Sequence, residues 1–304
     1  MTRYRNVVLF LLLAAVWGSA FTAIKAGLAD IPPVLFAALR YDIAGVIMLG
    51  YAWYATEQFL PRTRKQIALV VVGATLLIAA YHALLFVGEQ GTTSGAAAVI
   101  VSLNPVLTVG FTRLFFPNER LSTLGLVGIG LGLAGVAVLS QPDPTNLFGG
   151  NTMSEFLVFL ASAAFALGSV LTRWIDADLP IETMEAWSMV GGAALMHVVS
   201  VLLGESMADA VWSPTAIVSL AYLALAASAA GFLIYFDLLD RLGPVEINLV
   251  SYAAPVVASI TGVALLGDRV TAATAVGFFL IFTGFYLLKR AALRSEIRRV
   301  LDAR

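Results

Sequence analysis

Five ionisable residues lie in or beside long apolar stretches of this sequence: Lys25, Arg40, Asp42, His82 and Glu89. Charged side chains inside a membrane are costly, and they usually face the protein interior or a water-filled pathway for solutes or protons. We therefore predict that Arg40, well inside its stretch, binds substrate. Asp42, His82 and Glu89 are the candidates for proton coupling.

The spacing of these residues limits how they can work together. Arg40 and Asp42 are about 200° apart on a helix, so they point to different sides. His82 and Glu89 are seven residues apart and share one helix face, although Glu89 can equally be an ordinary charge at a helix end. Lys25 and Arg40 can also extend towards the membrane surface. If Arg40 points inward, it meets either an internal carboxylate or an anionic substrate.

The composition shows that these residues belong to an integral membrane protein. The chain has 304 residues, of which 60% are hydrophobic and 12% charged, whereas soluble domains carry about 25% charged residues. It has no cysteine, two histidines and no Gly-Lys dipeptide, so we expect no metal site, no cofactor and no P-loop. A net charge of −1 gives no reason to expect a nucleic-acid partner.

Ten segments are long and apolar enough to cross a bilayer, which needs roughly 20 residues per helix. They are 7–28, 33–54, 67–89, 94–116, 121–140, 154–175, 181–203, 214–236, 245–267 and 271–289. The stretch 141–153, rich in proline, glycine and asparagine, reads as a linker between two five-helix repeats, 7–140 and 154–289. Residues 290–304 form a basic tail.

The two halves resemble each other at an offset of 150 residues. Pro105 corresponds to Pro255, and each proline lies inside an apolar stretch that ends in a charged turn. A proline inside a helix removes a hydrogen bond, and a bilayer tolerates that best beside protein or a cavity. We therefore predict helix breaks at both prolines. At an offset of 149, Gly128 and Gly135 correspond to Gly277 and Gly284, and Gly128 and Gly132 predict close helix packing.

Trp17-Gly18-Ser19, Arg40 and the two proline-containing stretches resemble the EamA type of the drug/metabolite transporter superfamily. The resemblance covers nearly the whole chain and implies an all-α membrane fold with ten transmembrane helices in two inverted repeats. It also implies a central cavity, lined mainly by the first, third and fourth helices of each half. Besides Arg40, the candidates to line it are Trp17, Ser19, Thr22, Tyr81, His82, Asn104, Tyr235, Asn248, Ser251 and Tyr252.

The sequence favours a secondary transporter in the plasma membrane that moves a small organic solute, such as an amino acid or organic acid, by alternating access. Export is one direction that fits. A membrane-embedded enzyme acting on a lipid or isoprenoid, and a scaffold that transports nothing, remain alternatives. We expect membrane lipids as neighbours and either a monomer or a homodimer.

The distribution of basic residues predicts the topology. With both termini in the cytoplasm, the outer side holds only Lys25 and Arg269, and Arg40 lies within a helix. The remaining basic residues then lie inside, as the positive-inside rule requires. A reporter fused after Arg304 should be cytoplasmic, and one inserted in the linker should be external. An external C-terminus would contradict both the topology and the inverted relation of the halves.

Overall fold

A computed structural model of the chain describes residues 2–116, 123–140, 150–242, 247 and 250–302. Within these residues the protein is helical and has no strands. The charged turn at Asn118-Glu119-Arg120, linker residues 141–149 and the site candidate Asn248 lie outside the described residues.

Each of the ten predicted segments contains a helix, and we number these spans one to ten in chain order. Seven are long and apolar enough to cross a membrane, and the described parts of spans five, nine and ten give shorter apolar helices. Spans one to five are Thr2–Gly27, Pro33–Ala55, Arg64–Glu89, Ser94–Phe115 and Thr123–Ser140. Spans six to ten are Gly150–Ile175, Ile181–Leu202, Pro214–Leu238, Val250–Leu266 and Ala272–Asp302. The last span thus extends through most of the predicted tail.

The two prolines behave differently. Span four consists of two helices, Ser94–Val101 and Asn104–Phe115, separated by a turn at Ser102 and Leu103. Pro105 lies in the first turn of the second helix, where its missing N–H costs no internal hydrogen bond. Pro255, by contrast, lies inside one continuous helix, so the predicted break there is wrong. Pro255 is itself buried, and the helix continues through it.

Spans three and eight share an irregularity that the sequence did not predict. Gly73–Ala80 in span three and Tyr222–Ala230 in span eight are π-helical, with the ordinary α-helix on both sides. At the 149-residue offset Gly73 corresponds to Tyr222, so the two π-helical segments begin at equivalent positions in the two halves. Such wider turns are rare and often accompany functional sites.

The repeated glycines join spans five and ten within one chain. A Cβ atom on Gly135 would lie 2.7 Å from the carbonyl oxygen of Gly277, and one on Gly277 would lie equally close to the carbonyl oxygen of Gly135. A Cβ on Gly284 would likewise meet the backbone of Gly128 and Gly132. The close packing predicted for the fifth segment is therefore contact between the last spans of the two halves.

Spans of the two halves also pack directly on each other elsewhere. Span two packs on span seven, span one on span nine, and span three on span six. The first helix of span four packs on span nine, whereas its second helix packs mainly on span six. The break at Ser102-Leu103 therefore divides span four into a part held against span nine and a part directed elsewhere.

Gly135→Ala should lower the melting temperature in detergent, because its methyl group would push the backbone of span ten away. Overpacking of this kind costs roughly 1–3 kcal/mol. Gly130→Ala, on the same helix, is the matched control, because a Cβ there meets nothing within 4 Å. It should be neutral or slightly stabilising, since alanine favours helix more than glycine does. Equal melting temperatures for the two variants would contradict the assigned contact.

Candidate functional site

Arg40 is the charged residue at the centre of the bundle. It is only 6% exposed, and its Nε donates a hydrogen bond to Ser228 Oγ in span eight at 2.9 Å. Its guanidinium carbon lies 5.2 Å from the centre of the Tyr41 ring. Within the described part of the chain, no carboxylate lies within ion-pair distance of Arg40. Glu89 lies within electrostatic range of Arg40 but forms no ion pair with it, so the internal-acid alternative has no direct contact to support it among these residues.

His82 is held on both sides of its ring. Its Nδ1 lies 2.9 Å from the Ile78 carbonyl oxygen, and its Nε2 lies 2.7 Å from the Tyr41 hydroxyl. Because a carbonyl can only accept, Nδ1 carries a proton, and in the neutral ring Nε2 accepts from Tyr41. Both nitrogens are thus occupied in this conformation, and His82 acts as a support for Tyr41, beside Arg40.

Span eight brings aromatic residues to the same place. Trp17 Nε1 donates to the Ala227 carbonyl oxygen at 3.1 Å, one residue before the serine that holds Arg40. The Trp17 ring stacks on Tyr235 at 5.6 Å and meets Phe232 edge-on at 5.9 Å. Spans one, two and eight therefore meet at the π-helical segment of span eight.

Five residues of this group were missed by the sequence analysis: Tyr41, Phe165, Glu185, Ser228 and Phe232. Phe165 of span six packs on Tyr81 at 5.1 Å, which adds the sixth span to the aromatic lining. Glu185 of span seven is buried and lies within electrostatic range of Tyr41 and Tyr235. The cost of a charge in an apolar segment would have identified Glu185, whereas only the three-dimensional packing identifies the other four.

Ser19 and Thr22 contact the second half of the chain from span one. The Ser19 hydroxyl lies 2.7 Å from the Tyr222 hydroxyl in span eight. The Thr22 hydroxyl lies 2.6 Å from the Thr261 hydroxyl in span nine. In this conformation both candidates join helices to each other.

The candidates beside the prolines are dispersed. Asn104 begins the second helix of span four, and its buried Oδ1 has no hydrogen-bond partner among the described residues. Ser251 is half-buried in span nine. Tyr252 packs on Phe285 and Phe282 of span ten, with ring centres 4.5 and 5.7 Å away, so it faces the last span.

The other ionisable candidates form no direct contact with Arg40, although Glu89 lies within its electrostatic range. Asp42 Oδ2 is 2.7 Å from His197 Nε2 in span seven, and the two side chains are 44% and 41% exposed. Lys25 lies 4.0 Å from Asp268 at the end of the bundle that also carries Glu89. Glu89 is completely buried, so its interpretation as an ordinary charge in water is wrong.

The central group can therefore hold an anionic group beside aromatic rings. A guanidinium offers five N–H donors in one plane, and in the described residues Arg40 uses only Nε. Tyr41 lies beside the guanidinium, and two further aromatic groups lie near the residues that hold it: Trp17 with Phe232 and Tyr235, and Tyr81 with Phe165. A fixed cation near aromatic surface suits a small solute with an anionic end and an organic body.

Comparison with known proteins identifies the family of this fold. A model of the EamA-like transporter family matches residues 5–141 and 152–290. The uncharacterized inner membrane transporter YedA of Escherichia coli K12 is 31% identical over 261 residues, which cover 85% of this chain and 82% of the relative. A probable amino-acid metabolite efflux pump of Salmonella typhimurium LT2 is 29% identical, covering 92% and 93% of the two chains.

A solved structure supports the fold alone. The crystal structure of another protein superposes with a TM-score of 0.63 at 24% sequence identity. It covers 96% of this chain and 99% of its own. The helical arrangement described above therefore has a counterpart along nearly its whole length.

Tyr41→Phe should destabilise the protein, because it leaves His82 Nε2 buried without a partner. An unsatisfied buried polar group costs roughly 1–3 kcal/mol. Tyr54→Phe is the matched control, because Tyr54 lies on the same span and is 88% exposed. Thermal melting of the purified proteins in detergent measures both. If the two variants melt together, the Tyr41–His82 bond does not support the site.

Proposed function

Because the chain belongs to the EamA-like transporter family, we propose that it is a secondary transporter for a small organic solute with an anionic group. The solute class is an amino acid or organic acid, and the direction is export. The relatives are named transporters, which supports transport over the enzyme and scaffold alternatives. The name of the Salmonella relative, a probable amino-acid metabolite efflux pump, agrees with this solute class and direction.

The observation that carries the proposal is the environment of Arg40. A buried cation needs an opposite charge or several acceptors, because burying an uncompensated charge is costly. Arg40 has one hydroxyl acceptor and no carboxylate within ion-pair distance in the described part of the chain. An anionic solute supplies the missing charge, and a carboxylate matches the guanidinium with two parallel hydrogen bonds.

The arrangement of span four supports alternating access. Its first helix lies against span nine at the Lys25 end, which we define by Lys25, Thr92 and Asp268. Its second helix, beyond the break, packs mainly on span six. Spans one and nine are thus held against span four at the Lys25 end. We propose that the central site opens towards the opposite end, which the charge distribution predicts to be cytoplasmic.

Substitution of Arg40 tests the proposal. Arg40→Ala should bind its solute about ten- to a hundredfold more weakly, since a hydrogen bond to a charged group contributes roughly 1.5–3 kcal/mol. Arg40→Lys should bind with intermediate affinity, because an ammonium cannot form the paired hydrogen bonds of a guanidinium. The probes are amino acids and organic acids, screened by thermal shift on the purified protein and then by flux in proteoliposomes.

The matched control is Arg64→Ala, which removes an exposed arginine at the start of span three. It should bind and transport like the unmodified protein. Arg40→Ala should also melt at a lower temperature without solute, because the buried Ser228 loses its donor and a cavity remains. Binding is therefore compared well below the melting temperature of each protein. An Arg40→Ala protein that transports at the unmodified rate would overturn the assigned role. Absence of flux for the whole panel would overturn the solute class.

A further inference from the structure

Ion-pair and hydrogen-bond contacts join the two halves at the Lys25 end. Lys25 Nζ donates to the Thr92 carbonyl oxygen and lies 4.0 Å from Asp268 Oδ1. The other oxygen of Asp268 accepts from the backbone N–H of Ser94 at 2.9 Å, at the start of span four. Asp268 follows span nine, so its carboxylate holds spans one and four of the first half against the second half.

Glu89 is buried beside these contacts but takes part in none of them. It is 0% exposed, and neither of its carboxylate oxygens has a hydrogen-bond partner among the described residues. The Ser94 hydroxyl, five residues along the chain, is also fully buried and without a partner in the described part of the structure. The closed end therefore contains two polar side chains that its own contacts leave unsatisfied.

The charges that face Glu89 do not compensate it. Lys25, Asp268 and Arg40 lie within electrostatic range, from spans one, nine and two. Lys25 is already shared between Asp268 and the Thr92 carbonyl, and Arg40 is bonded to Ser228. On span six, Glu155 Oε1 lies 3.4 Å from the Thr92 hydroxyl, and within span three the Tyr81 phenol is in range. Two of these neighbours are acids, so the surroundings add negative charge as well as positive.

A carboxylate in this position cannot remain ionised at low cost. An ionised group without hydrogen bonds or a close counter-ion loses its hydration and gains little in return, so it takes up a proton instead. A metal cation is a poor alternative, because Ca²⁺ needs six to eight oxygen ligands. No group of three or more acidic, histidine or cysteine residues suited to a metal occurs in the described ranges.

We propose that Glu89 is a proton-binding site that is protonated when the Lys25 end is closed. When span four separates from span nine, water reaches Glu89, its O–H bond breaks, and the proton leaves to water as the carboxylate forms. Closing the Lys25 end therefore takes up one proton. The site deepens the proposed function, on which it rests for its role in driving transport, but its protonation requires no solute. His82 and Asp42 are not needed for it, since each already has a partner.

Distances between spin labels test the site without any substrate. The chain has no cysteine, so Gln90→Cys and Val270→Cys place two labels at exposed positions on either side of the Lys25 end. In the full-length protein in nanodiscs, electron paramagnetic resonance should show one short distance at about pH 5. A second, longer distance should appear at about pH 9, where a water-exposed glutamate is ionised.

Glu89→Gln, which keeps the shape but cannot ionise, should hold the short distance at both pH values, whereas Glu89→Asp should keep the pH dependence. Asp209→Asn removes an exposed acid at the same end and should behave like the parent. Size-exclusion elution and melting confirm that each variant is folded. The proposal is overturned if the parent shows one distance at every pH, or if Glu89→Gln keeps the parent's pH dependence. Because no solute is present, neither result depends on the role of Arg40.

Discussion

Inside a bilayer, a polar group must find its partner within the chain, because no water reaches it there. This constraint explains most side-chain contacts of the protein. Trp17 donates to a carbonyl of span eight, Thr22 pairs with a threonine of span nine, and Asp42 pairs with His197 of span seven. Each of these contacts satisfies two groups at once and joins two spans. Arg40 is satisfied only at Nε, by Ser228, and neither carboxylate oxygen of Glu89 has a partner among the described residues, which is why the functional proposals concern these two.

The π-helical segment of span eight shows how the backbone meets the same constraint. Ala227 lies inside the segment, and its carbonyl accepts the Trp17 N–H at 3.1 Å. Gly231, at the end of the segment, allows this approach, since a Cβ there would lie 2.7 Å from Trp17 Nε1. The next residue after Ala227 is Ser228, which accepts from Arg40. One irregular turn thus supplies both a carbonyl and a hydroxyl to groups from spans one and two.

The sequence predicted features that depend on composition or on a repeated pattern. The ten spans follow from apolar length, and close helix packing of span five follows from its glycines, although the sequence did not show that its partner is span ten. The predicted break at Pro105 is confirmed, because one helix of span four ends at Val101 and the next begins at Asn104. Pro255 was interpreted wrongly, because its helix continues through it. The sequence alone does not show which residues pack against that helix.

The central site was predictable only in part. Residue type or the family resemblance identified five of its residues: Arg40, Trp17, Tyr81, His82 and Tyr235. Arg40, Trp17 and Tyr235 lie near the π-helical segment of span eight, and Tyr81 and His82 directly follow the π-helical segment of span three. Tyr252 was expected in the cavity and instead packs on span ten. Residue type shows that a side chain is amphipathic, but the rotation of the helix decides which neighbour it meets. The π-helical turns change that rotation, and nothing in the composition of GATLLIAA or YLALAASAA indicates them.

The contacts between the halves divide into two physical kinds. Gly135 meets Gly277 through backbone packing, which has no charge and fixes spans five and ten closely together. Arg40 meets Ser228 and Lys25 meets Asp268 through polar groups, which can exchange a partner in the protein for water or a solute. At the opposite end, Arg5 lies 3.3 Å from Asp237, again between the first half and the second. A movement of the halves around the glycine contact therefore changes these polar contacts. The packing that the two halves share can in this way keep the fold, while charged residues present in only one half break and re-form their contacts as the ends open and close.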